Sequence, residues 1–111
     1  MKTTTMKAVV KYENKPNATE LREVPVPKIG ANDVLVEVAY VGVCGTDPHM
    51  HSGAKVFNFN CPFILGHEFA GQIVEAGKHV RDFKVGDRVT AETHADYRGQ
   101  CVLCRRNNYH L

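Results

Sequence analysis

Gly66-His67-Glu68-Phe69-Ala70-Gly71-Gln72-Ile73-Val74-Glu75-Ala76-Gly77 decides the reading of this chain. Phe69 to Ala76 is a short apolar stretch bounded by turn residues, the signal of a β-strand. At its entry an imidazole and a carboxylate stand side by side behind a glycine. Gly66 falls 22 residues after Cys44, which has its own glycine frame in Gly42-Val43-Cys44-Gly45-Thr46-Asp47. A thiolate and an imidazole from separate segments, with a carboxylate next to the imidazole, are donors suited to an open zinc site. Catalytic zinc takes three protein ligands and leaves one position for water or substrate. Cys44, His67 and Glu68 are therefore the candidate ligands, and Thr46, Asp47 and His49 form a polar cluster beside the thiol.

Outward from this stretch the chain continues in the same style. Strands are expected at Lys7 to Tyr12, Leu21 to Val24, Val34 to Tyr40 and Asp87 to Glu92, besides Phe69 to Ala76. In Val34 to Tyr40, valines 34, 36 and 38 alternate with Leu35, Glu37 and Ala39, which suits a strand buried on one face. Short strands joined by loops rich in Gly, Pro, Asn and Asp indicate an antiparallel barrel or sandwich. The chain contains no long helical pattern. Gly45 to Ser52 reads as a short helical turn with Thr46 or Asp47 as its cap.

Composition limits the functional classes. The 111 residues fit one domain, and 43% hydrophobic content suits a modest core. A formal net charge of +2 with both signs interspersed gives no basis for nucleic acid or a membrane surface. No window approaches the run of apolar residues that a membrane span needs. Met1 to Thr5 lacks an apolar signal core behind it, so a cytoplasmic location is expected. These five residues read as an extension, because Met6-Lys7-Ala8 looks like a second start. Of the four cysteines, Cys44, Cys61, Cys101 and Cys104, none is expected in a disulfide, since nothing points to an oxidising compartment.

Gly66 to Val80 reads Gly-His-Glu, two residues, Gly71, five residues, Gly77, two residues, Val80. This run resembles the zinc signature of the medium-chain alcohol dehydrogenases at every defined position. Val24-Pro25-Val26-Pro27, Asp33-Val34-Leu35-Val36, Cys44-Gly45-Thr46-Asp47 with His49, and Val85-Gly86-Asp87-Arg88-Val89 match the same family. Within it, the threonine and sorbitol (polyol) dehydrogenases are the most similar branch. The resemblance implies a mainly β chain. Its residues 6–111 would be a partial GroES-like β-barrel with short helical turns, the N-terminal catalytic domain of such an enzyme. The family's Rossmann domain is expected to be absent from this chain, because no Gly-x-Gly-x-x-Gly turn occurs between a strand and a helix. The isolated 111 residues are accordingly expected to be inactive.

The resemblance also implies roles. Cys44, His67 and Glu68 would hold a catalytic Zn2+, with Asp47 orienting His67 through its second ring nitrogen, as partners of metal-bound histidines commonly do. Thr46 and His49 would be the catalytic proton relay. Hydride leaves an alcohol carbon readily only as the oxygen gives up its proton, and an imidazole can pass that proton to solvent near neutral pH. NAD or NADP would come through the missing domain, so the residues that bind it are unknown here. The implied substrate is a small secondary alcohol or polyol, and the implied assembly a dimer or tetramer of identical chains. His94 matches a histidine of threonine dehydrogenases, and both substrate contact and a solvent-facing loop position stay open for it. His51 has no matching role and Cys61 is incidental.

Cys101-x-x-Cys104 is a strong zinc half-site, and many family members carry a four-cysteine zinc here. The family spacing would put another ligand at position 98, which is Arg98. A guanidinium cannot replace a thiolate, so a structural zinc is not expected. Two other functional classes compete with the dehydrogenase. One is a free-standing GroES-like binding module without activity, and the other is a cysteine hydrolase using Cys44 and His67. The first has no need to hold five polar groups together, and the second lacks an oxyanion-hole signature.

Overall fold

The computed structural model describes residues 4–53, 60–93 and 99–108. Two antiparallel sheets carry the chain. The first has the order β2-β1-β4, built from β1 (Thr5–Lys11), β2 (Thr19–Pro25) and the short β4 (Phe63–Ile64). The second has the order β3-β5-β6, from β3 (Val34–Gly42), β5 (Glu68–Ala76) and β6 (Arg88–Thr90). Two short helices, α1 (Thr46–Ser52) and α2 (Val102–Arg105), complete the described elements. This is the mainly β, GroES-like partial domain that the motifs implied.

Alternation in the sequence accounts for the core of each sheet. In β1 the side chains of Ala8 and Val10 point inward, and in β5 Ile73 does so at only 1% exposure. Such a site loses about 2–5 kcal/mol when an isoleucine is cut back to alanine. Lys11 is an exception to the polar-outward pattern: it is 2% exposed, and its ammonium donates to the Lys15 carbonyl at 2.5 Å. The bond compensates the desolvation of the amine.

Several boundaries differ from expectation. β1 starts at Thr5, which pairs with Pro25, and Val26 N–H bonds to the Thr4 carbonyl at 3.0 Å. The ladder thus reaches into the segment expected to be an extension. The one-sided burial expected across Val34 to Tyr40 does not hold. Val34, Leu35 and Val36 are all half-buried, and Val38 and Tyr40 are exposed. Register shifts at Leu35/Val36 and at Val38/Tyr40 break the two-residue period on which that expectation depended.

Two glycines shape the second sheet. A Cβ on Gly71 would run into the Glu37 carbonyl and, at 2.8 Å, the Val36 side chain, so β3 and β5 approach here only because the side chain is missing. Gly66 has φ +103°, a left-handed conformation that turns the chain from β4 in one sheet into β5 in the other. His67 lies in that crossover.

Candidate metal centre

α1 spans the gap between the sheets and positions half of the site. Its C-terminal end is tied to the turn before β2. Asn17 N–H donates to the His51 carbonyl at 2.7 Å, and Thr19 Oγ1 meets His51 Nδ1 at 2.5 Å. Its N-terminal end holds Thr46 and Asp47 against the β4–β5 crossover. The side-chain cap expected from Thr46 or Asp47 is not formed; Gly45 occupies the N-cap. Both side chains are engaged elsewhere. Asp47 Oδ2 accepts from Cys44 N–H at 2.8 Å, and Thr46 Oγ1 lies 3.4 Å from His67 Nε2.

Crossover and helix together bring Cys44, His67 and Glu68 to one place. One donor atom from each lies within 4.8 Å of the other two. Among the described residues, no other His, Cys, Asp and Glu side chains gather in this way. Asp47 Oδ1 sits 3.8 Å from His67 Nδ1, is buried, and has no hydrogen-bond partner. The two sides of the imidazole are therefore distinguished: Nδ1 faces a carboxylate, and Nε2 faces the hydroxyl of Thr46.

The electrostatics follow from these contacts. Hydrogen bonds from the Thr46 backbone and hydroxyl, and then from His67, hold the Cys44 thiol below its ordinary range. His67 is pushed up, first by its hydrogen bond to Cys44 and, against the effect of burial, by the charge of Asp47. The contact between Cys44 and His67 thus acts on both groups, lowering the thiol and raising the imidazole.

The residues present fit a zinc ion. One sulfur, one nitrogen and one carboxylate oxygen form a donor set that zinc accepts, with a fourth position left for a small ligand. Ligand bonds of about 2.0–2.3 Å require the three donors to draw in only slightly. The unpartnered Asp47 oxygen is where a proton on Nδ1 would be received once Nε2 is used for a metal.

An open cleft of about 350 Å³ borders the donors. His67, Glu68, Phe69 and Ala70 form one wall, and Tyr40, Thr90 and Thr93 contribute to the rest. Tyr40, Thr90 and Thr93 were not singled out in the sequence. Thr90 and Thr93 lie in the stretch Thr90-Ala91-Glu92-Thr93 before His94, and the expected strand over Asp87 to Glu92 would have placed Thr90 beside β5. Thr90 Oγ1 donates to the Phe69 carbonyl at 2.8 Å and so fixes β6 at the cleft. His49 is exposed on α1, three residues after Thr46. His51 proves to have a structural partner in Thr19, and Cys61 donates to Asn14 Oδ1 at 3.3 Å. His94 and Arg98 lie outside the described residues.

Comparison with known proteins gives this fold its family. Residues 30–111 match the alcohol dehydrogenase GroES-like domain. The chain belongs to this family. It is 44% identical over 108 residues to an L-threonine 3-dehydrogenase of Bacillus velezensis, covering 96% of this chain and 30% of that protein. It is 42% identical over 106 residues to a sorbitol dehydrogenase of Halalkalibacterium halodurans, again covering 96% of this chain and 30% of the relative. A candidate zinc-binding dehydrogenase of Sinorhizobium meliloti 1021, solved with NADP, superimposes with a TM-score of 0.84 at 37% identity, over 98% of this chain and 30% of that one. The chain therefore spans about 30% of the length of the relatives it matches. Among the described residues, no helix is long and apolar enough to cross a membrane.

Proposed function

We propose that this chain is the catalytic-domain portion of a zinc-dependent oxidoreductase that oxidises a small secondary alcohol or polyol with NAD or NADP. The observation that carries the reading is the convergence of Cys44, His67 and Glu68 beside an open cleft. The relatives, a threonine dehydrogenase and a sorbitol dehydrogenase, support the substrate class. The NADP-bound structure supports the cofactor class.

In this reading Cys44, His67 and Glu68 hold the zinc, which when bound supplies Lewis-acid polarisation of the substrate oxygen. Asp47 keeps His67 in the tautomer that presents Nε2. The Thr46 hydroxyl, beside Nε2, takes up the hydroxyl proton of the alcohol as it gives up its own. His49, exposed and on the same helix, passes that proton on to solvent. Phe69, Ala70 and Tyr40 give the cleft an apolar wall for the carbon skeleton of the substrate, and the hydroxyls of Thr90 and Thr93 receive the polar groups of a polyol. The whole enzyme is proposed to be a cytoplasmic dimer or tetramer.

The test is to assay the full-length enzyme on secondary alcohols and polyols with both nicotinamide cofactors, measuring zinc content in parallel. Cys44→Ser should lose zinc and activity together. A Cys44→Ser enzyme that keeps its zinc and its turnover would contradict the proposal.

A further inference from the structure

The second pair of cysteines is arranged for a different chemistry. Cys101 is exposed and Cys104 half-buried, and their sulfurs lie 3.2 Å apart. Cys101 has extended backbone (φ −71°, ψ 163°), and the turn Val102–Arg105 folds back so that Cys104 N–H reaches the Cys101 sulfur at 3.4 Å. Hydrogen bonds hold this turn. Arg105 N–H donates to the Cys101 carbonyl at 3.1 Å, and Arg105 Nε donates to the Gln100 carbonyl at 2.9 Å. A disulfide requires the sulfurs to close to about 2.05 Å, from the 3.2 Å at which they stand here. No third donor joins the pair among the described residues.

We propose that Cys101 and Cys104 are a redox-active dithiol that closes reversibly to a disulfide by exchange with low-molecular-weight disulfides. Cys101 is the attacking thiol and Cys104 the resolving one. The Cys104 backbone N–H, and then its thiol, hold Cys101 below the ordinary cysteine range, whereas its bond to Cys101 pushes Cys104 up. Exposure and thiolate character are what thiol reactivity requires. In the first step the Cys101 thiolate attacks one sulfur of the small disulfide. That S–S bond breaks, and one small thiol leaves with the proton Cys101 has lost. In the second step Cys104 gives up its proton and attacks the Cys101 sulfur of the mixed disulfide, releasing the second small thiol. The protein loses two electrons and two protons, and the small disulfide gains both.

The experiment uses the reduced, chelator-treated chain in buffers of graded oxidised-to-reduced glutathione ratio. Free thiols are counted, and disulfide-linked peptides are identified by mass. Two of the four thiols should disappear as a Cys101–Cys104 link and return on reduction. Cys104→Ser should trap glutathione on Cys101, roughly tenfold faster than on Cys61 in the folded chain, and urea should abolish that preference. Four persistent thiols, a link through Cys44 or Cys61, or no rate preference for Cys101 would each overturn the proposal. So would a metal ion that stays on Cys101 and Cys104 through chelation and blocks their oxidation.

Discussion

Asp47 places one carboxylate oxygen, buried and without a hydrogen-bond partner, 3.8 Å from Nδ1 of His67. Its other oxygen takes the Cys44 N–H at 2.8 Å. A single carboxylate thus orients both the thiol segment and the imidazole. The substitution Asp47→Asn keeps the shape of the side chain and removes its charge, so it should weaken metal binding by about 10–100-fold. Competition against a chelator of known affinity measures this, and unchanged affinity would show that Asp47 only braces the Cys44 loop.

Metal affinity should depend on pH in a direction set by the metal-free centre. His67 is raised by its bond to Cys44 and must lose a proton before it can bind metal. The His67 contribution is therefore complete above its raised value and is lost as pH drops through it, by about tenfold per unit for each proton displaced. The fall should start at a higher pH than for an unperturbed imidazole. Cys44 is lowered, so its own contribution to the fall comes at a lower pH than an ordinary cysteine would give. Cobalt titrations across pH check both statements. A fall that begins at or below the ordinary imidazole range would contradict the Cys44–His67 interaction.

His49 is exposed and shares α1 with Thr46. If it exports a proton, His49→Gln should slow turnover of the full-length enzyme most at low pH and little at high pH, where hydroxide removes the proton directly. The loss should sit at or below roughly hundredfold, the low end for acid–base contributions. A variant with the wild-type kcat profile against pH would leave His49 an ordinary surface residue.

A Cβ added at Gly71 in β5 would run into the Glu37 carbonyl oxygen of β3. Gly71→Ala forces a methyl group against the Glu37 carbonyl, which is backbone and cannot rotate away. The expected cost is about 1–3 kcal/mol of unfolding free energy, measured by denaturant titration. An alanine variant of unchanged stability would mean that the strands separate without penalty.

What could be read from the sequence was what neighbouring residues encode. The glycine-framed motifs around Cys44 and His67 specify loops, and the apolar stretches beside them specify strands, so the β class and the residues that converge with Glu68 were both legible. β4 was not, because Phe63 and Ile64 are too few to show a period and their pairing with Val10 and Lys11 is long-range. The burial of Lys11 depends on the Lys15 carbonyl, and the role of His51 on Thr19 32 positions away. The missing cap on α1 has the same origin: Asp47 and Thr46 would suit a cap locally, but Cys44 and His67 engage their side chains instead. Thr90 and Thr93 reach the cleft only because β6 pairs with β5.

X-ray absorption at the zinc edge of the full-length enzyme tests the central claim most directly, because it counts sulfur ligands. Cys44, His67 and Glu68 holding one zinc predict a single sulfur at about 2.3 Å, with nitrogen and oxygen at about 2.0–2.2 Å. Cys44→Ser should abolish the sulfur shell. A spectrum with two or more sulfurs per zinc that survives Cys44→Ser would put the metal at other cysteines and contradict the account.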